Sequence, residues 1–246
     1  MRKIRLYYDE KPLKLDQVFT ITTKNEMHHY LLNVMRVKKK WVINVFNNHD
    51  GEYEAVIEDI QRDGIKLRCI DIVQIAAKMR PLHLIISLCK RNTLSKVMQQ
   101  AVELGVTDIH PIITEYSIAG EFNSVRYIKI IKEASEQSER INIATLHEVK
   151  SLSDIITQMS EYAIYFCDEE IADPMISAIG TRCEKDTMVP AVLIGPEGGF
   201  SPQERDMLYS YRYVLPISLG KNVLRLDTAA VVAIYCIKEY HNHCKN

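Results

Sequence analysis

Two short stretches of the chain combine residue types that could do chemistry. The first, "LIGPEGGFSPQE", places Gly195, Gly198 and Gly199 within five positions, although the whole chain has only nine glycines. Glycine has no Cβ, so such a loop admits positive φ and lets backbone N–H and C=O groups approach a ligand closely. The second, "LGKNVLRLDTAAVVAIYCI", sets Gly220, Arg225 and Asp227 just ahead of an apolar helix pattern. An arginine there is a permanent cation able to stabilise developing negative charge. Glu197 and Asp227 are carboxylates, able to take a proton where geometry or a raised pKa allows. The glycine loop matches neither common phosphate-binding fingerprint, and Glu197 at its centre repels an anion, so a neutral or zwitterionic ligand fits better. Each stretch also has a plain structural reading: a strand-to-helix turn for the glycines, and a salt bridge for Arg225 with Asp227.

The surrounding pattern says what must hold these loops. Ser201-Pro202-Gln203-Glu204 is a capping box with proline at the first helical position, which fixes a helix start and leaves the glycines in the loop before it. Strand-like runs at residues 82–88, 109–113, 162–166, 191–194 and 213–217 alternate with helical patterns around 94–104 and 125–139 and at 228–237. Such alternation predicts an α/β domain on a mostly parallel sheet. Ligands bind such sheets at the carboxyl ends of the strands. Three ends therefore matter: Phe166 to Glu169, Gly195 to Gly199, and Ser218 to Lys221. Gly105 is expected to end its helix in the left-handed conformation. The helix at 228–237 is apolar almost all round, which predicts burial in a core or a subunit interface.

Residues 2–73 follow a different, two-residue period at 41–46, 52–57 and 65–72, with 47–51 read as a hairpin turn and one helix at about 24–35. A small β-barrel or sheet is implied. The expected organisation is a domain at 1–73, a linker at 74–81 and an α/β domain at 82–246. The N-terminal third is slightly basic, and Arg36, Lys38, Lys39 and Lys40 cluster beside Trp41, the only tryptophan. That cluster reads as a phosphate-binding edge with an aromatic neighbour, or as a solvated loop.

With 246 residues, 47% of them hydrophobic, the chain has enough material for its own cores. Six cysteines without a C-x-x-C pair, and no signal-like segment, lead to an expectation of a reduced, cytoplasmic protein. The longest apolar run, 229–237, is half the ~20 residues of a membrane span, so no membrane role is expected. His241, His243 and Cys244 lie near the C-terminus, where a frayed tail explains them better than a metal, and no functional metal is expected.

Taken together, "IGPEGGFSPQE", "SLGKNVLRLDTAA", "QQAVELGVTDIHPIITEYS", "IKEASEQSER" and "EMHHYLLNVMRV" resemble the signature blocks of the SPOUT-class 16S rRNA (uracil-N3)-methyltransferase family, RsmE type. The resemblance covers nearly the whole chain. It implies a PUA-like RNA-binding β-barrel followed by an α/β methyltransferase domain with a trefoil-knotted, mostly parallel sheet. It also implies S-adenosylmethionine as cofactor, a homodimer, and 16S rRNA or the small ribosomal subunit as partner. The cofactor would be met around Ile194, Gly195, Gly198, Gly199, Leu219, Gly220 and Leu224. Arg225 would stabilise charge on the uracil oxygens, Glu197 or Asp227 would take the N3 proton, and Arg2, Arg36, Lys38 and Lys39 would contact RNA phosphates. This chain departs from the family pattern at Asp227, where glutamate is commoner, at Glu139, where "EQSGR" has a small residue, and at Tyr30, which replaces one of two adjacent histidines. Three other readings compete. A knotted ribose 2′-O-methyltransferase usually carries asparagine where Ser218-Leu219 is here followed by Gly220. A non-catalytic RNA-binding dimer leaves Arg225 and the glycine loop unexplained. A nucleotide-binding α/β enzyme lacks its phosphate fingerprint.

Overall fold

The computed structural model describes residues 4–118, 120, 122–170 and 188–243. The chain divides into two compact units, Met1–Lys78 with Ser135–Ile143, and Met79–Ala134 with Ala144–Asn246.

The first unit is built on a five-stranded sheet in the order β1-β3-β4-β5-β2. Its strands are β1 (Arg5–Tyr7), β2 (Val18–Thr22), β3 (Val42–Asn47), β4 (Gly51–Gln61) and β5 (Gly64–Ile75). All neighbours are antiparallel except β1 with β3. Inward positions are filled by Ile43, Val45, Ala55, Ile57, Ile65 and Leu67, all fully buried, as strand alternation requires. Asn47 Oδ1 accepts the backbone N–H groups of His49 and Asp50 and so folds the β3–β4 turn. Gly51 closes that turn at φ +105°, where a Cβ would stand 2.1 Å from the Gln74 carbonyl oxygen.

Two expectations shift here. The helix at 24–35 is a short α1 (Glu26–His29) that widens into a π-helical turn, Tyr30–Val34, where Met35 N–H reaches back to the Tyr30 carbonyl. β5 continues through Gln74 and Ile75, residues assigned from the sequence to a linker. Ser135–Ile143 joins this unit through Arg5, whose guanidinium donates to both Glu52 carboxylate oxygens and to the Ser135 and Arg140 carbonyls. In this segment Glu139 takes φ +62°, a left-handed conformation that explains why a small residue suits its position.

The second unit is an all-parallel sheet, β12-β10-β11-β6-β7-β8, with β9 also on β7. Its elements are β6 (His83–Ser87), α2 (Arg91–Glu103), β7 (Asp108–Ile113), α3 (Ser124–Gln137, of which the residues from Ser135 on count with the first unit), β8 (Thr145–Leu146), β9 (Lys150–Ser151) and α4 (Leu152–Gln158). β10 (Tyr162–Cys167), β11 (Val189–Ile194), α5 (Pro202–Ser210), β12 (Val214–Ile217) and α6 (Leu226–His243) complete it. β6, β10 and β11 are almost wholly buried, as parallel strands covered on both faces must be. Gly105 ends α2 at φ +98°. Of the two expected places for the last helix, a core or a subunit interface, the single chain provides the first for one face only. α6 buries one face, through Leu226, Ala230, Ala233, Ile234 and Ile237, while Tyr235 is 55% exposed. No helix among the described residues is long and apolar enough to cross a membrane.

A histidine cluster, not anticipated from the sequence, sits at the amino-terminal edge of this sheet. His83 and Asp108 are register partners at the starts of β6 and β7. His83 Nδ1 lies 2.9 Å from His110 Nε2, His147 Nε2 lies 2.8 Å from Asp108 Oδ1, and the rings of His110 and His147 stack at 4.0 Å. Burial pushes the pKa of His83 down and that of His110 to about 3, helped by the neighbouring histidines. Burial alone would raise Asp108, but its hydrogen bond from His147 and the charge of His83 outweigh this and lower it. The unfolded chain therefore binds more protons than the folded one as pH falls below about 6.5 for the two depressed histidines. Stability is expected to fall from there toward pH 4 by on the order of 1 kcal/mol per pH unit, in proportion to the protons taken up on unfolding. Urea unfolding midpoints across that range check this. A His110→Asn variant should flatten the slope, and an unchanged slope would contradict the assignment.

Candidate active site

The sheet order places the carboxyl ends of β12, β10 and β11 side by side, so the three loops singled out from the sequence converge. They enclose a cavity of about 140 Å³ whose lining includes Cys167, Asp168 and Glu169 after β10. Ile194, Gly195, Glu197, Gly199 and Phe200 come from the loop after β11, and Leu219, Gly220, Lys221 and Leu224 from the loop after β12. The capping box forms as expected: Ser201 Oγ accepts Glu204 N–H and the Glu204 carboxylate accepts Ser201 N–H, which ends the glycine loop at a fixed point.

Of the residues expected to hold a cofactor, Ile194, Gly195, Gly199, Leu219, Gly220 and Leu224 all line the cavity. Gly198 is not among its lining residues: a Cβ there would stand 3.3 Å from Tyr116 Cβ. Gly199 at φ +71° and Gly220 at φ +119° use backbone conformations that favour glycine. A Cβ on Gly220 would meet nothing within 4 Å, so this position leaves open space in the cradle. At Gly195 a Cβ would fall 2.5 Å from Phe200 Cε2, and Phe200 is buried and packed edge-on to Phe166. Gly195→Ala is therefore expected to displace Phe200, cost about 1–3 kcal/mol of stability and weaken ligand binding. Thermal melts with and without ligand check this, and wild-type values in both would contradict it.

The expected catalytic residues separate. Glu197 is exposed and lines the cavity. Arg225, like Asp227, is not among the residues that line the cavity; it is exposed beside it at the entrance to α6, between the lining residues Leu224 and Leu226, and its carbonyl accepts Ala229 N–H. No hydrogen bond or ion pair holds its guanidinium among the described residues. Asp227 does not line the cavity: its Oδ2 lies 2.6 Å from Lys96 Nζ on α2, and that hydrogen bond, opposed by some desolvation, holds its pKa below the usual carboxylate range. A carboxylate held in its charged form by a cation is the weaker base, so the arrangement favours Glu197, which lines the cavity, over Asp227 as proton acceptor, while the Lys96 pair joins α6 to α2.

One cluster at the cavity was missed from the sequence. The Asp168 side chain is fully buried; its Oδ1 accepts Arg205 Nη1 and Glu170 N–H, and its Oδ2 accepts the Tyr209 hydroxyl at 2.9 Å. Arg205 and Tyr209 stand four apart on α5, one helical turn, so both reach the end of β10. Arg205 also lies 3.1 Å from Glu170 and lines the cavity. Acids (Glu169, Glu197) and cations (Arg205, Lys221) thus share one lining, which suits a zwitterion rather than a polyanion. At the other end of the sheet His241 is buried against the Tyr165 hydroxyl, and Cys244 lies outside the described residues. Among the described residues no group of three or more His, Cys, Asp or Glu is arranged to hold a metal.

In the first unit Arg36, Lys38 and Lys39 are all exposed, and Arg2 lies outside the described residues.

Residues 76–238, which include all three loops, match the RNA methyltransferase domain family, and residues 27–69 match the RNA methyltransferase PUA domain. The chain belongs to the RNA methyltransferase family. It is 30% identical over 217 residues to a ribosomal RNA small subunit methyltransferase E of Rickettsia conorii, covering 88% of each. A Legionella pneumophila protein solved in complex with the bound cofactor SAM is 25% identical, with a TM-score of 0.85 over 97% of this chain and 98% of that one. A ribosomal RNA small subunit methyltransferase E of Neisseria gonorrhoeae shares the fold at 23% identity, with a TM-score of 0.85 over 97% of this chain and 98% of the other. This methyltransferase thus combines a PUA unit and a parallel-sheet unit, as the resemblance implied.

Proposed function

We propose that this methyltransferase uses S-adenosylmethionine to methylate N3 of a uridine in 16S ribosomal RNA. The observation that carries the reading is the cavity at the ends of β10, β11 and β12, with its glycine cradle and mixed charge, in a chain of the RNA methyltransferase family. When bound, S-adenosylmethionine supplies a methyl group on a sulfonium sulfur. Backbone around Ile194, Gly195, Gly199, Leu219, Gly220 and Leu224 would hold it, with Gly198 shaping the loop against Tyr116, and the mixed acids and cations of the lining would suit its zwitterionic amino-acid group.

Uracil N3 is a weak acid and carries its proton at neutral pH. Glu197 takes that proton as the new N–C bond forms, and Arg225 stabilises the charge that develops on the ring oxygens. Alignment of donor and acceptor atoms supplies much of the remaining acceleration. Arg2, Arg36, Lys38 and Lys39 contact RNA phosphates and orient the substrate. The reading includes a trefoil knot formed by the loops around the cavity, and a homodimer in the cytoplasm. The half-open outer face of α6, with Tyr235 exposed, supports a second copy packing there. A ribose 2′-O reading is disfavoured because Gly220 follows Ser218-Leu219. Titration calorimetry tests the cofactor: S-adenosylmethionine should bind one site per chain and ATP should not, and absence of heat with S-adenosylmethionine would overturn the reading.

A further inference from the structure

We propose that Trp41 and the cationic turn before it form a stacking platform for an unpaired nucleotide of the RNA, an inference that rests on the reading of the chain as an rRNA-methylating enzyme. Trp41 N–H donates to the Lys38 carbonyl at 3.1 Å, Lys40 N–H to the Ile57 carbonyl at 2.8 Å, and Ile57 N–H to the Trp41 carbonyl at 2.8 Å. Two residues, Lys40 and Trp41, therefore oppose one, Ile57, in a β-bulge whose first position is left-handed, with Lys40 at φ +72°. Glycine is the residue such a bulge ordinarily takes, because a Cβ is strained there. Arg36 is also left-handed, at φ +52°. Two long cations thus occupy backbone positions where glycine would be easier, and buried Val37 between them anchors the turn.

Arg36, Lys38, Lys39 and Lys40 are all exposed. Among the described residues only Lys39 of these has an ion-pair partner, Asp59 at 3.6 Å. Beside this uncompensated charge stands the one large aromatic surface of the turn, Trp41, 41% exposed. Cations of this density are neutralised by a phosphate backbone, and an indole face offers base stacking, the pairing of features that recognises single-stranded nucleic acid. Duplex RNA hides the faces of its bases, so the occupant is an unpaired nucleotide. A lipid surface or an apolar protein partner would need more apolar area than one ring among charges.

Trp41 is the only tryptophan, so its emission reports this one place. Titrating a short single-stranded RNA, with binding followed independently by anisotropy of an RNA label, should quench that emission in step with binding. Trp41→Ala should weaken single-strand binding by about tenfold at unchanged salt dependence, whereas Trp41→Phe should stay within about threefold. Lys38→Gln should instead lower the slope of log affinity against log salt by about 0.7. Binding by anisotropy with unchanged emission and a wild-type affinity for Trp41→Ala would overturn the platform while leaving the enzyme reading intact. An emission response to phosphatidylglycerol vesicles and none to RNA would also overturn it. Failure of the protein to bind or methylate RNA at all would overturn the enzyme reading, and the platform with it.

Discussion

Arg225→Ala is expected to lower methyl transfer by about 10²–10³-fold, the effect of removing one preorganised group that stabilises transition-state charge. Cofactor affinity and melting temperature should stay near those of the parent. The side chain is exposed and makes no hydrogen bond or ion pair among the described residues, so its loss leaves no buried group unsatisfied. Its backbone carbonyl still accepts Ala229 N–H in the variant, so the start of α6 is preserved. Arg225→Lys keeps the charge but not the planar fork, and should fall between the two. Single-turnover rates with saturating cofactor are the measurement, and an undiminished rate for Arg225→Ala would remove the residue from the mechanism.

Arg205→Ala is expected to act on stability and cofactor binding together. It strips the Asp168 carboxylate, which is fully buried, of its cationic partner and leaves only the Tyr209 hydroxyl and Glu170 N–H on it. Breaking a buried ion pair from one side costs about 3–5 kcal/mol. That corresponds to a melting temperature lower by roughly 10 °C for a chain of this size. Because Arg205 also lines the cavity, affinity for S-adenosylmethionine should fall as well. Adding Asp168→Asn to Arg205→Ala should recover part of the lost stability, since the buried charge is gone, and that coupling separates an ion-pair effect from simple loss of packing. A single variant that melts with the parent would contradict the role given to the pair.

What the sequence made legible was local. The capping box at Ser201, the left-handed stop at Gly105 and the hairpin turn before Gly51 depend on residues a few positions apart, and each forms as its chemistry requires. The parallel sheet was legible because alternating strand and helix patterns leave few alternatives. The two-residue strands β8 and β9 have too little length to show a period. Side-chain pairings across the fold were hidden for another reason: they depend on strand order and register. Lys96 lies 131 positions from Asp227, and Arg205 lies 37 from Asp168. His83, Asp108, His110 and His147 meet only once β6, β7 and β8 are aligned. The glycine loop was found because glycines in a turn before a helix are a local signal, whereas the pairing of Asp227 with its distant lysine was not legible.

The most direct test is transfer of labelled methyl from S-adenosylmethionine to small ribosomal subunits and 16S rRNA that lack the modification, followed by digestion to nucleosides. The expected product is labelled 3-methyluridine, lost with Arg225→Ala. Label on a ribose oxygen, or no transfer by a protein that binds both cofactor and RNA, would contradict methylation at uracil N3.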